Sequence, residues 1–588
     1  MALIALAACD PAPELASLPE TDVALPPVRA TMEGVANRSG SALARLPDES
    51  ALILADEDHG VLRRIALPVD ANDTADVVSM PGAPAQVIAL ADRVLVTIRE
   101  PGMLIELDHA LHERARVDLP SDAWGMAVSA DGRTAVVTSA WTHRATGIDL
   151  STMTPRWSLL MAREPRGIAI AEDGTAYVSH LVGSRITKIS GIHGESPTSE
   201  RTEVMPSPLR SPAGRLLHAS LGYSAVLSPD GKRLFLPRHA LGAQGREWWF
   251  GQPTVDVMLT ADETSLAPRN VNVGGFTDFA TGDLMDVQGS PPIEVADFVQ
   301  PRDAIYRKSK NTLLVASEGD NLLAELDARA LDPSLATRRV YRLATYEGDE
   351  YPYANIVVSG GAPSAIALSA DEKMAWVFCR STYDIAIVEL DQEEDDLFPY
   401  VHLADDPLGE DGAKGRRLFY DATDGTISGG LGCAGCHPEG RDDGHVWHEN
   451  FVDESFGGYR GTDIVADGPE GSTFVSRGVP RQTPMLAGRV RASGPYGWRG
   501  ESPTLEARIR AGFSLHRWQG TRESSWMVTM DRPKLLASFL RQGLVAPKAS
   551  ERALTAQEQR GKELFAHADV GCASCHVPAT EFTDRIPL

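Results

Sequence analysis

WGMAVSADGRTAVVTSAWTHRATGIDL, residues 124–150, holds a short apolar run, a polar turn at Asp131-Gly132, a second apolar run and, after a polar break, a third that ends in Asp-Leu. Apolar runs of this length bounded by turn residues read as β-strands. Asp-Gly between two of them reads as a tight hairpin, because glycine supplies the positive φ such turns need. The unit recurs as PAQVIALADRVLVTIREPGMLIELD from Pro84, PRGIAIAEDGTAYVSHLVGSRITKIS from Pro165 and PSAIALSADEKMAWVFCRSTYDIAIVEL from Pro363. Looser copies begin at Ala42, Tyr223 and Arg302, with larger insertions after the fourth and fifth units. Units spaced by about 40 residues, none able to bury both sheet faces alone, must stack around an axis. The sequence therefore predicts a multidomain chain that begins with an all-β, seven-bladed propeller over residues 41–400.

The unit at Tyr223 contains SPDGKRLF (228–235), and it resembles the YVTN-type propellers of secreted bacterial proteins. That resemblance implies the fold and leaves the chemistry open. In the insertion from about 240 to 300, Trp248 and Trp249 read as packing or docking residues. The acidic run DQEEDD, 391–396, reads as a solvated linker after the last blade.

The 588 residues carry 56 basic and 81 acidic side chains, a formal net charge of −25. Such a balance disfavours nucleic acid and anionic membrane surfaces as partners. At the N-terminus, Leu6-Ala7-Ala8-Cys9 resembles the lipobox of bacterial lipoproteins, although no Lys or Arg precedes the apolar run. On that resemblance residues 1–8 are a signal remnant, Cys9 is lipidated, and the Pro-rich 9–40 is a tether. The implied location is the periplasm or the outer cell surface, with membrane contact only through the lipid. No other stretch approaches the roughly 18 apolar residues of a membrane span.

The six cysteines are Cys9, Cys379, Cys433, Cys436, Cys572 and Cys575. Cys379, inside MAWVFCRS, reads as a buried core thiol. The last four form two pairs in one frame, LGCAGCHPEG and VGCASCHVPA, each followed at once by histidine. A Gly-x-x-Leu-Phe element precedes both pairs, at Gly415–Phe419 and Gly561–Phe565, which marks an internal duplication. Thr555 and Glu558 form a capping-box pattern for a helix before the second pair. Cys-x-x-Cys-His reads as covalent c-type haem attachment: two thiols reach the two vinyl groups of one porphyrin, and the adjacent imidazole lies beneath the iron. Cys433, Cys436 and His437 are thus expected to hold one haem, and Cys572, Cys575 and His576 a second. A zinc site would leave the adjacent histidines unexplained, and a redox dithiol expects a βαβ setting that neither pair has.

From about residue 406 the apolar spacing turns helical, and GRRLFYDATDGTISGGLGCAGCHPEGRDDGHVW (415–447), RQTPMLAGR (481–489) and PYGWRGESPTLEARI (495–509) follow in order. These segments resemble the di-haem cytochrome c peroxidase family. The resemblance implies a mainly α first cytochrome c domain over 406–547 and the start of a second, incomplete one over 553–588. Candidates for a second ligand to the first haem are Met485, after Thr483-Pro484, and His445 or His448. The family's distal His has no counterpart in STFVSRGVP, and Trp498-Arg499-Gly500 stands where the family has Trp-Asp-Gly. Trp498 remains a candidate electron relay.

Three functions follow as expectations. The first is an electron-transfer protein that uses the propeller as scaffold, exchanging electrons with a redox protein or a small donor or acceptor. The second is a peroxidase-like oxidoreductase. The third is a propeller-borne enzyme or binding module that passes electrons to the haems.

Overall fold

The structure, a computed structural model, describes residues 38–69, 74–204, 218–242, 250–266, 275–277, 284–286, 298–347, 356–392, 398–424, 431–449, 451–453, 458–460, 464–466, 474–476, 479–515, 531–546, 553–580 and 582–586. Cys9, most of the tether, Trp248, Trp249 and residues 393–396 lie outside them.

Successive antiparallel sheets span residues 43–79, 84–118, 123–160, 165–203, 218–266, 301–342 and 363–402; each has four strands except the fifth, which has five. They are blades 1–7 of a seven-bladed β-propeller. Their starts fall within a few residues of the repeats read from the sequence. Asp131-Gly132, Asp173-Gly174 and Asp230-Gly231 turn as expected, the glycines at φ 70, 83 and 69°.

The second strand of a blade is apolar without alternation, as in Ala51–Asp56 and Thr134–Ser139, where every residue is buried. A blade packs against neighbours on both faces, so both faces of its middle strands must be apolar. Outer strands such as Thr198–Glu203 are mostly exposed and polar. Every pair of adjacent blades encloses its own apolar core, the last one joining Trp376, Phe378 and Ile385 of blade 7 to Leu43, Leu52 and Ile65 of blade 1. Cys379 is fully buried in the core between blades 6 and 7, as its apolar setting implied.

The N-terminal strand enters through the middle of the ring. Ser39 pairs with Ala127, the Gly40 amide donates to the Met126 carbonyl, and the Ser41 hydroxyl donates to Asp303 at 2.7 Å. Residues 38–40, read as the end of a tether, thus already belong to the fold. Around this strand the axis encloses about 870 Å³.

The chain then packs onto one end of the propeller. Helix α1 (Gly409–Tyr420) lies against α4 (Arg532–Gln542), with α2 (Cys433–Cys436) and α3 (Leu505–Leu515) beside them. Phe419 and Phe539, both fully buried, pack with their rings tilted by 53° at 5.2 Å between centres. A mainly α region was expected over 406–547, and here the structure differs. Val446–Glu449 pairs with Val479–Gln482, Phe451–Asp453 with Gly458–Arg460, and Ile464–Ala466 with Phe474–Ser476. Short β-favouring runs such as Phe451-Val452 and Phe474-Val475, set between polar residues, pair here as strands. Helices α5 (Ala556–Ala566) and α6 (Cys572–Cys575) close the described chain, and the capping box of Thr555 and Glu558 is formed. Among the described residues no helix is long and apolar enough to cross a membrane.

Candidate functional site: a thiol-lined cleft against one end of the propeller

Gly432 precedes α2 in extended backbone, and its amide donates to Gln300 Oε1 of blade 6 at 2.7 Å. The four-residue turn that follows closes with the His437 amide bonded to the Cys433 carbonyl at 2.8 Å. Cys433, Cys436 and His437 are thereby brought to one cleft, whose apolar walls include Phe419, Leu431, Trp447, Leu505 and Leu536. The propeller supports that wall, since Leu241 of blade 5 packs against Leu431 and Trp447. Arg481 and Arg508 add cationic side chains to the lining.

Cys433, Cys436 and His437 are each half-buried in the cleft wall, and their desolvation shifts the protonation states. It pushes the Cys433 thiol up to about 12, holds Cys436 well above the ordinary thiol range, and takes the His437 imidazole down to about 4. The imidazole is therefore neutral at physiological pH, the form that ligates metals. Among the described residues its Nδ1 is buried without a hydrogen-bond partner. Asp443, which accepts the Trp447 indole N–H at 2.9 Å, is raised by burial to about 7.

Two thiols, a neutral imidazole and apolar walls on one cleft are the donor set and surroundings that a c-type haem requires. The enclosed space is about 150 Å³, below the roughly 300 Å³ at which ligand pockets usually begin. A macrocycle there would spread the walls or leave an edge in solvent.

The other residues singled out in the sequence are not all gathered here. Met485 packs against the helical core; its neighbours Pro484 and Leu486 line the cleft and it does not. His445 lies edge-on to Trp447 at 4.7 Å, behind the wall, and the side chain of His448 lies outside the described residues. Trp498 is 45% exposed, with the Arg481 guanidinium 5.5 Å above its ring. Cys572, Cys575 and His576 stand apart: none is buried, and α5 and α6 bury no residue. Among the described residues no three His, Cys, Asp or Glu side chains converge as a site for a bare metal ion.

Sequence reasoning stopped at His437 and missed Glu439. Its backbone is left-handed, φ 52°, and its carboxylate enters the propeller axis. There it meets Arg302 at 2.6 Å, Arg166 at 3.1 Å and Arg99 at 3.2 Å, from blades 6, 4 and 2. Burial alone would raise this carboxyl, but Arg166, Arg99 and Arg302 outweigh it and hold it well below the usual carboxylate range. Asp122 and Glu164 take the remaining charge, pairing with Arg99 and Arg166 and with Arg441 of the C-terminal region. Arg302 also lies over the Tyr223 ring at 3.8 Å. A Pro-Glu-Gly turn gives no local sign of partners drawn from three blades.

No family model and no curated protein matches the chain. Solved structures resemble it only loosely. Kuenenia stuttgartiensis hydrazine synthase aligns at 15% identity and TM-score 0.41, over 63% of this chain and 99% of that one. Dihydro-heme d1 dehydrogenase NirN aligns at 11% and 0.36, over 60% and 74%. The β-propeller domain of Myceliophteria thermophila Cps50 aligns at 10% and 0.35, over 53% and 84%. At these scores the likenesses carry nothing about chemistry, and the propeller rests on the strand pairing itself.

Proposed function

We propose that the chain is a haem-carrying electron-transfer protein in which the propeller is a rigid base for the site. The observation that supports this reading most is the convergence of Cys433, Cys436 and His437 on one apolar cleft. In it Cys433 and Cys436 would form the thioether links and His437 would be the axial ligand. The haem iron would supply one-electron chemistry. The chain's own part is to keep His437 neutral, to exclude water with Phe419, Trp447 and Leu536, and to fix the turn on the propeller. Cys572, Cys575 and His576 would carry a second haem. Haem of this type is attached outside the cytoplasm, which agrees with an exported chain anchored by lipid at Cys9. The partner is a redox protein or a small electron donor or acceptor.

A peroxidase-like reading is favoured by one observation: among the described cleft residues there is no second His or Met to fill the iron's sixth position. The test uses the Cys572→Ser/Cys575→Ser variant, so that only the first site is read. Alkaline pyridine should give a c-type haem spectrum with about one haem per chain; no covalent haem overturns both readings. Carbon monoxide added to the reduced protein then separates them. An unchanged spectrum means two protein ligands and electron transfer; a carbon monoxide spectrum means an open site, and peroxide turnover becomes the next assay.

A further inference from the structure

We infer that Glu439 is the positioning residue of the His437 turn, and that the arginines on the propeller axis are its receptor. The propeller is then part of the site and not only its support. The inference rests on the haem reading for its redox consequence alone.

The geometry runs from the blades to the cleft in a few covalent and hydrogen-bonded steps. Arg99, Arg166 and Arg302 come from three separate blades, so they converge only when the ring is closed. The Glu439 side chain, 6% exposed, completes them. Left-handed backbone is costly for a glutamate and persists where surrounding contacts over-determine it. Gly440 follows at φ 75°, and a Cβ there would meet Leu544 at 2.9 Å and Ala487 at 3.1 Å, so the turn packs closely against the loop that faces it. The Gly440 carbonyl accepts the amides of Leu486 and Ala487, both at 2.8 Å, and Leu486 lines the cleft. On the other side the Gly440 amide bonds the His437 carbonyl at 2.9 Å. One carboxylate thus holds both the ligand turn and the loop facing it. Removing its charge takes one carboxylate from three buried arginines, of which Arg99 and Arg166 keep Asp122 and Glu164 while Arg302 keeps only Glu318 at 3.9 Å, and such a loss is costlier than that of a surface pair.

The test is Glu439→Gln in the full-length chain, read in two ways. In haem-free protein, amide hydrogen exchange at Gly440, Arg441, Leu486 and Ala487 should speed at least tenfold, while the middle strands of the blades keep their rates. Unchanged rates at those amides overturn the inference, whatever becomes of the haem. In the haem-loaded Cys572→Ser/Cys575→Ser background, the reduced-to-oxidised ratio at a fixed ambient potential should change at least threefold. Arg417→Gln, which removes a propeller contact to the Val357 carbonyl elsewhere on α1, should leave that ratio unchanged. Equal effects of the two variants would reduce Glu439 to an ordinary interface residue. If Glu439→Gln does not fold, Arg99→Gln removes one arm only. It should speed the same amides at least threefold, and no change there overturns the inference as well.

Discussion

His180, on the second strand of blade 4, is 2% exposed and shows how tightly the propeller interior controls charge. Its Nδ1 faces the Arg163 carbonyl at 2.9 Å and so must carry the proton; its Nε2 accepts from the Thr187 hydroxyl. Burial takes its pKa from 6.5 down to about 4. The unfolded chain then binds a proton here before the folded chain does. Stability is unaffected above pH 6.5 and falls as pH drops from 6.5 towards 4, by on the order of 3 kcal/mol in all. Buried Asp256 and Asp303, raised to about 6 by desolvation, act in the opposite sense. The effect is therefore read as a difference: urea midpoints at pH 7.5 and pH 5 should diverge less in His180→Gln than in the parent. Parallel shifts would mean that His180 is protonated in the fold. At this same scale Cys379 was legible as a core thiol because an apolar strand surrounds it in the sequence. Glu439 was not, because its partners are hundreds of residues away.

At the scale of elements, the duplicated Gly-x-x-Leu-Phe motif does different things in its two copies. In α1, a Cβ on Gly415 would lie 2.0 Å from the Leu535 carbonyl oxygen, so the glycine lets α1 and α4 cross closely. In α5, nothing lies within 4 Å of a Cβ on Gly561. Gly415→Ala is expected to cost roughly 1–3 kcal/mol through forced repacking. Gly561→Ala should be neutral or stabilise α5 by up to about 1 kcal/mol, since alanine is the better helix former. Thermal melts followed by far-ultraviolet circular dichroism compare the two, and equal effects would contradict the packing of α1 on α4. The turn to helical spacing from about residue 406 anticipated helices in this region, and the capping-box pattern of Thr555 and Glu558 located α5. It misread 446–482, where short strands pair, because a few β-favouring residues between polar ones carry little periodicity for either structure.

Across the whole molecule, propeller and helical region are joined by buried charge as well as apolar packing. Arg416 of α1, 1% exposed, pairs with Asp58 of blade 1 at 2.8 Å and with Asp406 at 2.7 Å. Within the helical region itself, Arg532 of α4 pairs with Asp424 at 2.8 Å. The two helices of 553–586 bury no residue among those described, and Leu564, Val570 and Phe582 are 44, 49 and 58% exposed. A helix of that length is marginal when nothing packs on it. Limited trypsin digestion should therefore cut at Arg560 or Lys562 before any site within the blades, as mass spectrometry of early fragments would report. First cuts inside blades 1–7 would show that the propeller is the looser body.

By itself the sequence determined the repeat, its number and nearly every blade start, since each follows from local strand patterns and from turns that need Asp-Gly. It also marked the two contiguous Cys-x-x-Cys-His motifs on which the proposed haem reading rests. Only the tertiary structure decided that Cys433, Cys436 and His437 share an apolar cleft while Cys572, Cys575 and His576 stay at the surface. It alone placed Met485 off the cleft wall and brought Glu439 among arginines of three blades. Those outcomes depend on contacts between residues far apart in the chain, and a local pattern holds no record of which distant side chains a closed ring will bring together.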